Sequence, residues 1–296
     1  MRLRAQTLRA LRAHFEAQDY LEVTTPLRTR APAPEEHLAP LACGNGCWLR
    51  ASPELYHKRL LAEGWRRLFE IGPCFRAGEI GPRHYPEYTL LEWYRVGADY
   101  RDLLAETQDL LRAAAQAVHG AHRWTYQGHA LDVGGPWDIL RVSEAFQAAA
   151  GWDPAAAFDP DRFDLDLVER VEPSFSKTRP TVLMDYPAPR AALARLKPGD
   201  PRVAERWELY LGGIELANAY SELIDPAVQR ARFETARAAQ ARATGNPPLP
   251  LDENFLAALD TGLPPCAGIA LGVDRLVMLL TDAPVIADVL AFAEPD

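Results

Sequence analysis

Residues 75–95, FRAGEIGPRHYPEYTLLEWYR, bring arginines, a histidine, aromatic rings and three carboxylates into one short stretch. That combination suits the holding of ATP beside a cationic metabolite. A guanidinium grips phosphate and carboxylate oxygens through its planar fork, an aromatic ring offers a stacking face, and carboxylates attract ammonium groups. Arg76, Glu92 and Tyr94 are the first candidates.

The alternation of Leu68, Glu70 and Gly72 before this stretch, and of Leu90, Glu92 and Tyr94 within it, predicts two antiparallel strands. A loop at 78–86, rich in Gly and Pro, joins them. Side chains two apart share a face, so Arg76, Glu92 and Tyr94 are expected to converge on one cleft. Leu3, Leu8, Leu11 and Phe15 recur at helical spacing and predict an opening helix, followed by an extended run toward Pro26. Apolar residues at 103, 104, 110, 111, 114 and 118, with Thr107, predict an amphipathic helix over 101–118 that packs on the sheet. Residues 30–37, RAPAPEEH, read as a loop that either connects elements or covers a pocket. The stretch 136–180 holds two short helical patterns, at 143–150 and 162–171, and reads as a small insertion into a single domain spanning 1–296.

The chain has 296 residues, is 48% hydrophobic and carries a net charge of −9. It can bury a large core. The acidic balance offers no broad cationic surface and disfavours extensive nucleic-acid binding. No apolar run approaches the roughly 18 residues that mark a membrane span, and the Arg-rich start lacks a signal peptide's apolar stretch, so the expected location is the cytoplasm. Cys43 and Cys47 bracket Gly-Asn-Gly, a hairpin turn. Cys74 and Cys266 stand alone, and the expectation is reduced thiols without zinc.

Five segments in order resemble the class II aminoacyl-tRNA synthetases. FRAGE with RHYPEYTLLEWY is similar to motif 2 as lysyl-tRNA synthetases carry it. YLEVTTP (20–26) resembles motif 1, ASPEL (51–55) an amino-acid-binding strand end, GIELANAYSEL (213–223) the late acidic strand, and GIALGVDR (268–275) motif 3. The first helix is expected to begin almost at Met1, so no anticodon-binding barrel is expected before motif 1. A lone catalytic domain of this type resembles the elongation factor P lysine lysyltransferases, which join a lysine-type residue to a lysine of that factor.

The resemblance implies an α+β fold, an antiparallel sheet of six or seven strands flanked by helices, paired as a homodimer through motif 1. It implies lysine or β-lysine as substrate, ATP and Mg²⁺ as cofactors, elongation factor P as acceptor, no membrane partner, and tRNA disfavoured. Arg76 and Arg275 are the implied catalytic residues. Ser52, Pro53, Glu54, Glu92, Tyr94, Asn218, Glu222 and Ala270 are implied to hold the amino acid, Glu54 at its α-ammonium and Glu222 with Tyr94 at its side-chain ammonium. Arg76, Ala77, Gly78, Glu79, His84, Tyr85, Tyr88, Glu215, Leu216, Gly272 and Arg275 are implied to hold ATP, with Glu215 and Glu222 as the magnesium ligands. Seven residues apart, those two would face opposite ways on a regular strand, so a bulge or bend near Asn218 is expected.

The chain departs from the family pattern at Ala77-Gly78, where relatives have Asn-Glu, at Tyr85 for a common Asn, and at Tyr88 for Phe. A minimal tRNA-charging lysyl synthetase and a non-catalytic regulator that binds lysine or tRNA are the alternatives.

Overall fold

A computed structural model describes residues 1–34 and 40–293. The last three residues of the predicted 30–37 loop lie outside the described residues. Helix α1 (Arg2–Glu16) turns Thr7, Leu11 and Phe15 inward, while Leu3 stays partly exposed, so Thr7 takes the buried place that the periodicity gave to a leucine. The chain then runs through β1 (Leu21–Glu22) and β2 (Arg28–Thr29) to the hairpin of β3 (Leu41–Gly44) and β4 (Cys47–Leu49). Its turn carries positive φ at Gly44, Asn45 and Gly46, and all four cysteines are free thiols. Helix α2 (Glu54–Ala62) leads into β5 (Arg67–Phe75) and β6 (Glu87–Val96), the predicted antiparallel pair.

Asp99 caps the next helix, accepting from the amides of Arg101 and Asp102, and α3 (Tyr100–His119) ends at Gly120 in the left-handed conformation. Strands β7 (Arg123–Tyr126) and β8 (His129–Asp132) form a separate hairpin. Then follow β9 (Asp138–Arg141), α4 (Val142–Ala150) and α5 (Pro160–Asp166), the last continued by a π-helical turn at Leu167–Val171. These helices occupy the two patterns expected within 136–180 and share a small core of Val142, Phe146, Phe163 and Tyr186. The chain ends with β10 (Thr181–Pro187), β11 (Leu196–Lys197), β12 (Asp200–Leu211), β13 (Ile214–Ser221), α6 (Pro226–Thr244), α7 (Glu253–Gly262), β14 (Cys266–Gly272) and α8 (Val273–Thr281).

Among the described residues nine strands make the main sheet, in the order β1-β5-β6-β14-β13-β12-β10-β9 with β11 on β12. The six from β5 to β10 are antiparallel throughout. The edge strands β1 and β9 join in parallel, which makes the sheet mixed and larger than the expected six or seven strands. The period of two divides its faces cleanly. Leu91 and Trp93 of β6, Ile269 and Leu271 of β14, and Trp207 and Leu209 of β12 pack against α1, α3 and α8 in the principal core. On the other face the register places Glu70, Glu92, Ala270, Asn218 and Glu208 in one row across five strands. Helices α2, α6 and α7 cover one end of that face and α4 and α5 the other, where Leu183, Tyr186 and Tyr210 meet Phe146 and Phe163, and the stretch between them is open.

Candidate active site

The open face forms a cleft of about 880 Å³. Of the residues predicted from sequence, Ser52, Glu54, Arg76, Glu79, His84, Tyr85, Tyr88, Glu92, Tyr94, Glu215, Leu216, Asn218, Ala270, Gly272 and Arg275 all wall it. Pro53, Ala77, Gly78 and Glu222 do not. Pro53 starts α2 as its N-cap, and Gly78 adopts φ +76° in the tight turn after β5, a conformation that suits glycine. At this departure from the family pattern Glu79 stands on the wall in place of Ala77 and Gly78, 3.5 Å from the Arg76 guanidinium.

One end of the cleft is cationic. Arg76 leaves the end of β5, held there by its amide on the Pro86 carbonyl, and its guanidinium lies 5.3 Å from the centroid of Tyr88. The Tyr88 hydroxyl donates to the Ala51 carbonyl at 2.7 Å, which ties the start of β6 to the turn before α2. Arg275, in the first turn of α8, donates to the Glu215 carbonyl at 2.8 Å and meets His84 Nε2 at 2.8 Å. Desolvation and the nearby Arg275 charge hold His84 below an ordinary histidine, so its ring is neutral and accepts from Arg275. Glu215 keeps 44% of its side chain open, yet enclosure in the cleft and the Glu208 carboxylate push its pKa upward against the pull of Arg275 and Arg76.

The other end is anionic and buried. Glu92 is 1% exposed and accepts from the Ser52 hydroxyl at 2.6 Å and the Tyr94 hydroxyl at 2.9 Å. Burial and the Glu54 charge raise its carboxyl to about 8, despite those two donors. Glu222 lies just past β13, its amide on the Cys266 carbonyl. Burial raises it to about 8 as well, with Lys58 opposing and Glu54 reinforcing the shift. A Cβ built on Gly268 would collide with the Tyr94 ring and with Glu222 Oε1. Gly268→Ala is therefore expected to destabilise the fold by roughly 1–3 kcal/mol, as overpacking does. Thermal denaturation checks it, and an unchanged melting temperature would mean that Tyr94 and Glu222 can move apart freely.

The two acidic residues of the late strand have different settings. Glu215 faces Arg275 on the cleft wall, whereas Glu222 pairs with Lys58 beneath it. The expected irregularity exists, but it falls at Leu216: opposite β12 the register passes from Glu215 to Ala217, two residues before Asn218. Pairing with β12 decides that place, and no spacing within β13 could reveal it.

Three residues escaped the sequence reading. Arg206 walls the cleft and donates to Glu208 at 2.6 Å and to Asn218 at 3.2 Å, holding Asn218 in place. Asp274, 2% exposed, accepts from Arg4 of α1 at 2.5 Å and from the Thr89 amide at 2.6 Å, locking motif 3 to motif 2 and to the first helix. Lys58 is the third. Its only sequence signal is a spacing of four from Glu54 on a helix; Asp274 lay within the motif 3 segment as an unremarked charge, and Arg206 lay outside all five segments that carry the resemblance.

The comparisons agree with this geometry. The family model of tRNA synthetases class II (D, K and N) matches residues 1–295. A protein of Vibrio cholerae serotype O1 named elongation factor P–(R)-beta-lysine ligase is 39% identical over 310 residues, covering 100% of this chain and 95% of its own. A protein of the same name from Salmonella gallinarum is 40% identical over 304 residues, covering 98% and 93%. With this match over nearly the whole length, and with the motif residues gathered on one open sheet face, the chain belongs to the tRNA synthetases class II (D, K and N).

Proposed function

We propose that this chain activates a lysine-type diamino acid with ATP and transfers it to a lysine side chain of elongation factor P. The observation that carries this reading is the polarity of the cleft, with Arg76 and Arg275 at one end and Glu54 and Glu92 at the other. A substrate with one carboxylate and two ammonium groups matches that layout. A monoacidic, monoamino substrate would leave buried carboxylates unpaired. The relatives' printed name supplies the acceptor.

In this reading a carboxylate oxygen of the diamino acid attacks the α-phosphorus of ATP and pyrophosphate leaves. The fork of Arg76 bridges the carboxylate and the α-phosphate as negative charge gathers there. Arg275, fixed by Glu215 and His84, faces the nucleotide. The acceptor amine then attacks the acyl carbon, loses a proton, and AMP departs. Among the described residues no group of three or more His, Cys, Asp or Glu could hold a metal ion. The cleft therefore suits magnesium carried in on the triphosphate, with Glu215 as a protein ligand, better than a protein cage. Glu222, committed to Lys58 and off the wall, does not fit that role. When bound, the ion neutralises the triphosphate and the departing pyrophosphate.

We also infer a homodimer through residues 20–26, where Leu21 and the following Leu27 are exposed. Light scattering at micromolar concentration is expected to give twice the chain mass, and a monomer would refute this pairing. Among the described residues no helix is long and apolar enough to cross a membrane.

The test is to incubate the protein with ATP, Mg²⁺ and labelled α- or β-lysine, offering elongation factor P and lysine tRNA separately. Label on the protein factor is expected, and the faster isomer names the donor. Label on tRNA alone would make the enzyme a minimal synthetase. Absence of amino-acid-dependent pyrophosphate exchange would overturn the activation reading altogether.

A further inference from the structure

Lys58 projects from α2 with its side chain wholly buried, Nζ lying 2.5 Å from Glu54 Oε1 and 2.5 Å from Glu222 Oε2. Burial works against its charge, but the two carboxylates outweigh that and hold it protonated. Neither oxygen of Glu222 has a hydrogen-bond partner: Oε2 has its ion contact with Lys58, while Oε1 is buried against the bare Cα of Gly268 and the Tyr94 ring. Both of those residues wall the cleft. A buried carboxylate oxygen left without a donor is costly, and such a vacancy is filled when a donor arrives.

We propose that Lys58 is a positioning residue for the amino-acid substrate: its ammonium pins one oxygen of Glu54 and one of Glu222, and leaves the other oxygen of each for the substrate's two ammonium groups. This rests on the diamino-acid reading above and names a residue that reading does not contain. The charge count supports it. With the substrate bound and their protons displaced, Glu54, Glu92 and Glu222 set three carboxylates against the one fixed ammonium of Lys58, an excess of two, which equals the ammonium groups of a diamino acid. Lys58 opposes the upward shift of Glu222, so without it the carboxyl would hold its proton more tightly against an arriving ammonium. Glu222 would then stay a neutral acid even with the substrate present, and Lys58→Met would behave like Glu222→Gln.

The experiment compares wild type, Lys58→Met, Glu222→Gln and the double variant, measuring diamino-acid-dependent pyrophosphate exchange, calorimetric affinity for lysine and β-lysine, and melting temperature. At pH 7.5 each single variant is expected to raise the KM for the diamino acid at least tenfold while the KM for ATP stays within twofold. The double variant should be no worse than either. At pH 9 Lys58→Met should recover at least threefold relative to Glu222→Gln, because Glu222 can ionise in the first and has no acid group in the second. The groups that face Glu222 are Lys58 and Glu54 of α2, Tyr94 of β6, Cys266 of β14 and, beside Cys266, Arg195. Burial holds the Tyr94 hydroxyl and the Cys266 thiol above this pH range. Glu92 titrates within it in both variants and cancels from the comparison.

An unchanged KM in Lys58→Met, or a loss that adds to that of Glu222→Gln, would make Lys58 a structural ion pair and overturn the proposal. Should Lys58→Met fail to fold, the double variant decides: a further tenfold loss beyond Glu222→Gln overturns it, and none supports it. Inactive wild type with no binding of either diamino acid would instead overturn the activation reading itself.

Discussion

Replacing Arg76 by alanine is expected to reduce amino-acid-dependent pyrophosphate exchange by at least about a thousandfold, the upper part of the range for removing one preorganised charge-stabilising group. Arg76 stands at the end of β5 on the cleft wall, its guanidinium over Tyr88. Arg275 does not take over that place, since it is drawn toward Glu215 and His84. The ion pair with Glu79 is partly open to solvent and 3.5 Å long, so its loss removes little stability. The variant should therefore melt within a few degrees of wild type. Arg76→Lys should not restore activity, because an ammonium cannot span carboxylate and phosphate with a planar fork. Exchange that falls less than tenfold in Arg76→Ala would exclude it as the clamp.

Diamino-acid binding is expected to release protons and to tighten as pH rises from 6 to 8. Burial lifts the carboxyls of Glu92 and Glu222 to about 8, so below that pH both are largely neutral in the empty cleft. An arriving ammonium favours the charged carboxylate and expels the proton. The sign follows: affinity grows by up to about tenfold per pH unit for each proton released, then levels above the raised pKa, where no proton remains to displace. Calorimetry at pH 7 in two buffers of different ionisation enthalpy counts the protons, with between one and two expected. Glu222→Gln should lower that count and raise the lysine requirement at least tenfold while ATP affinity holds. Binding without proton exchange would mean that both carboxylates are already ionised in the empty cleft.

Much of this arrangement was legible in the residues. The period of two in LEWY assigned Glu92 and Tyr94 to one face and Leu91 and Trp93 to the other, and the sheet obeys it because one face is filled by the apolar core on α1, α3 and α8 while the other lines the cleft. The GNG turn and the helices over 101–118, 143–150 and 162–171 follow from local backbone preference and apolar spacing, which act within a few residues. The edge strands β1 and β9 were not legible. One has two residues and the other four, and each is a strand only because a longer neighbour offers its edge.

The site divides along the same line. Which residue types would handle phosphate, carboxylate and ammonium was fixed by the chain, because each role depends on the chemistry of one side chain and on motifs a few residues long. Which of them share a counter-ion was decided by the tertiary structure. Lys58 and Glu222 are far apart in sequence and meet only because α2 packs beneath the end of β13 and β14, and that meeting draws Glu222 off the cleft wall and away from Glu215. The bulge at Leu216 and the reach of Arg4 from the first helix to Asp274 were settled in the same way. Strand pairing and long-range ion pairs depend on the register and burial of elements distant in sequence, and local spacing carries no record of either.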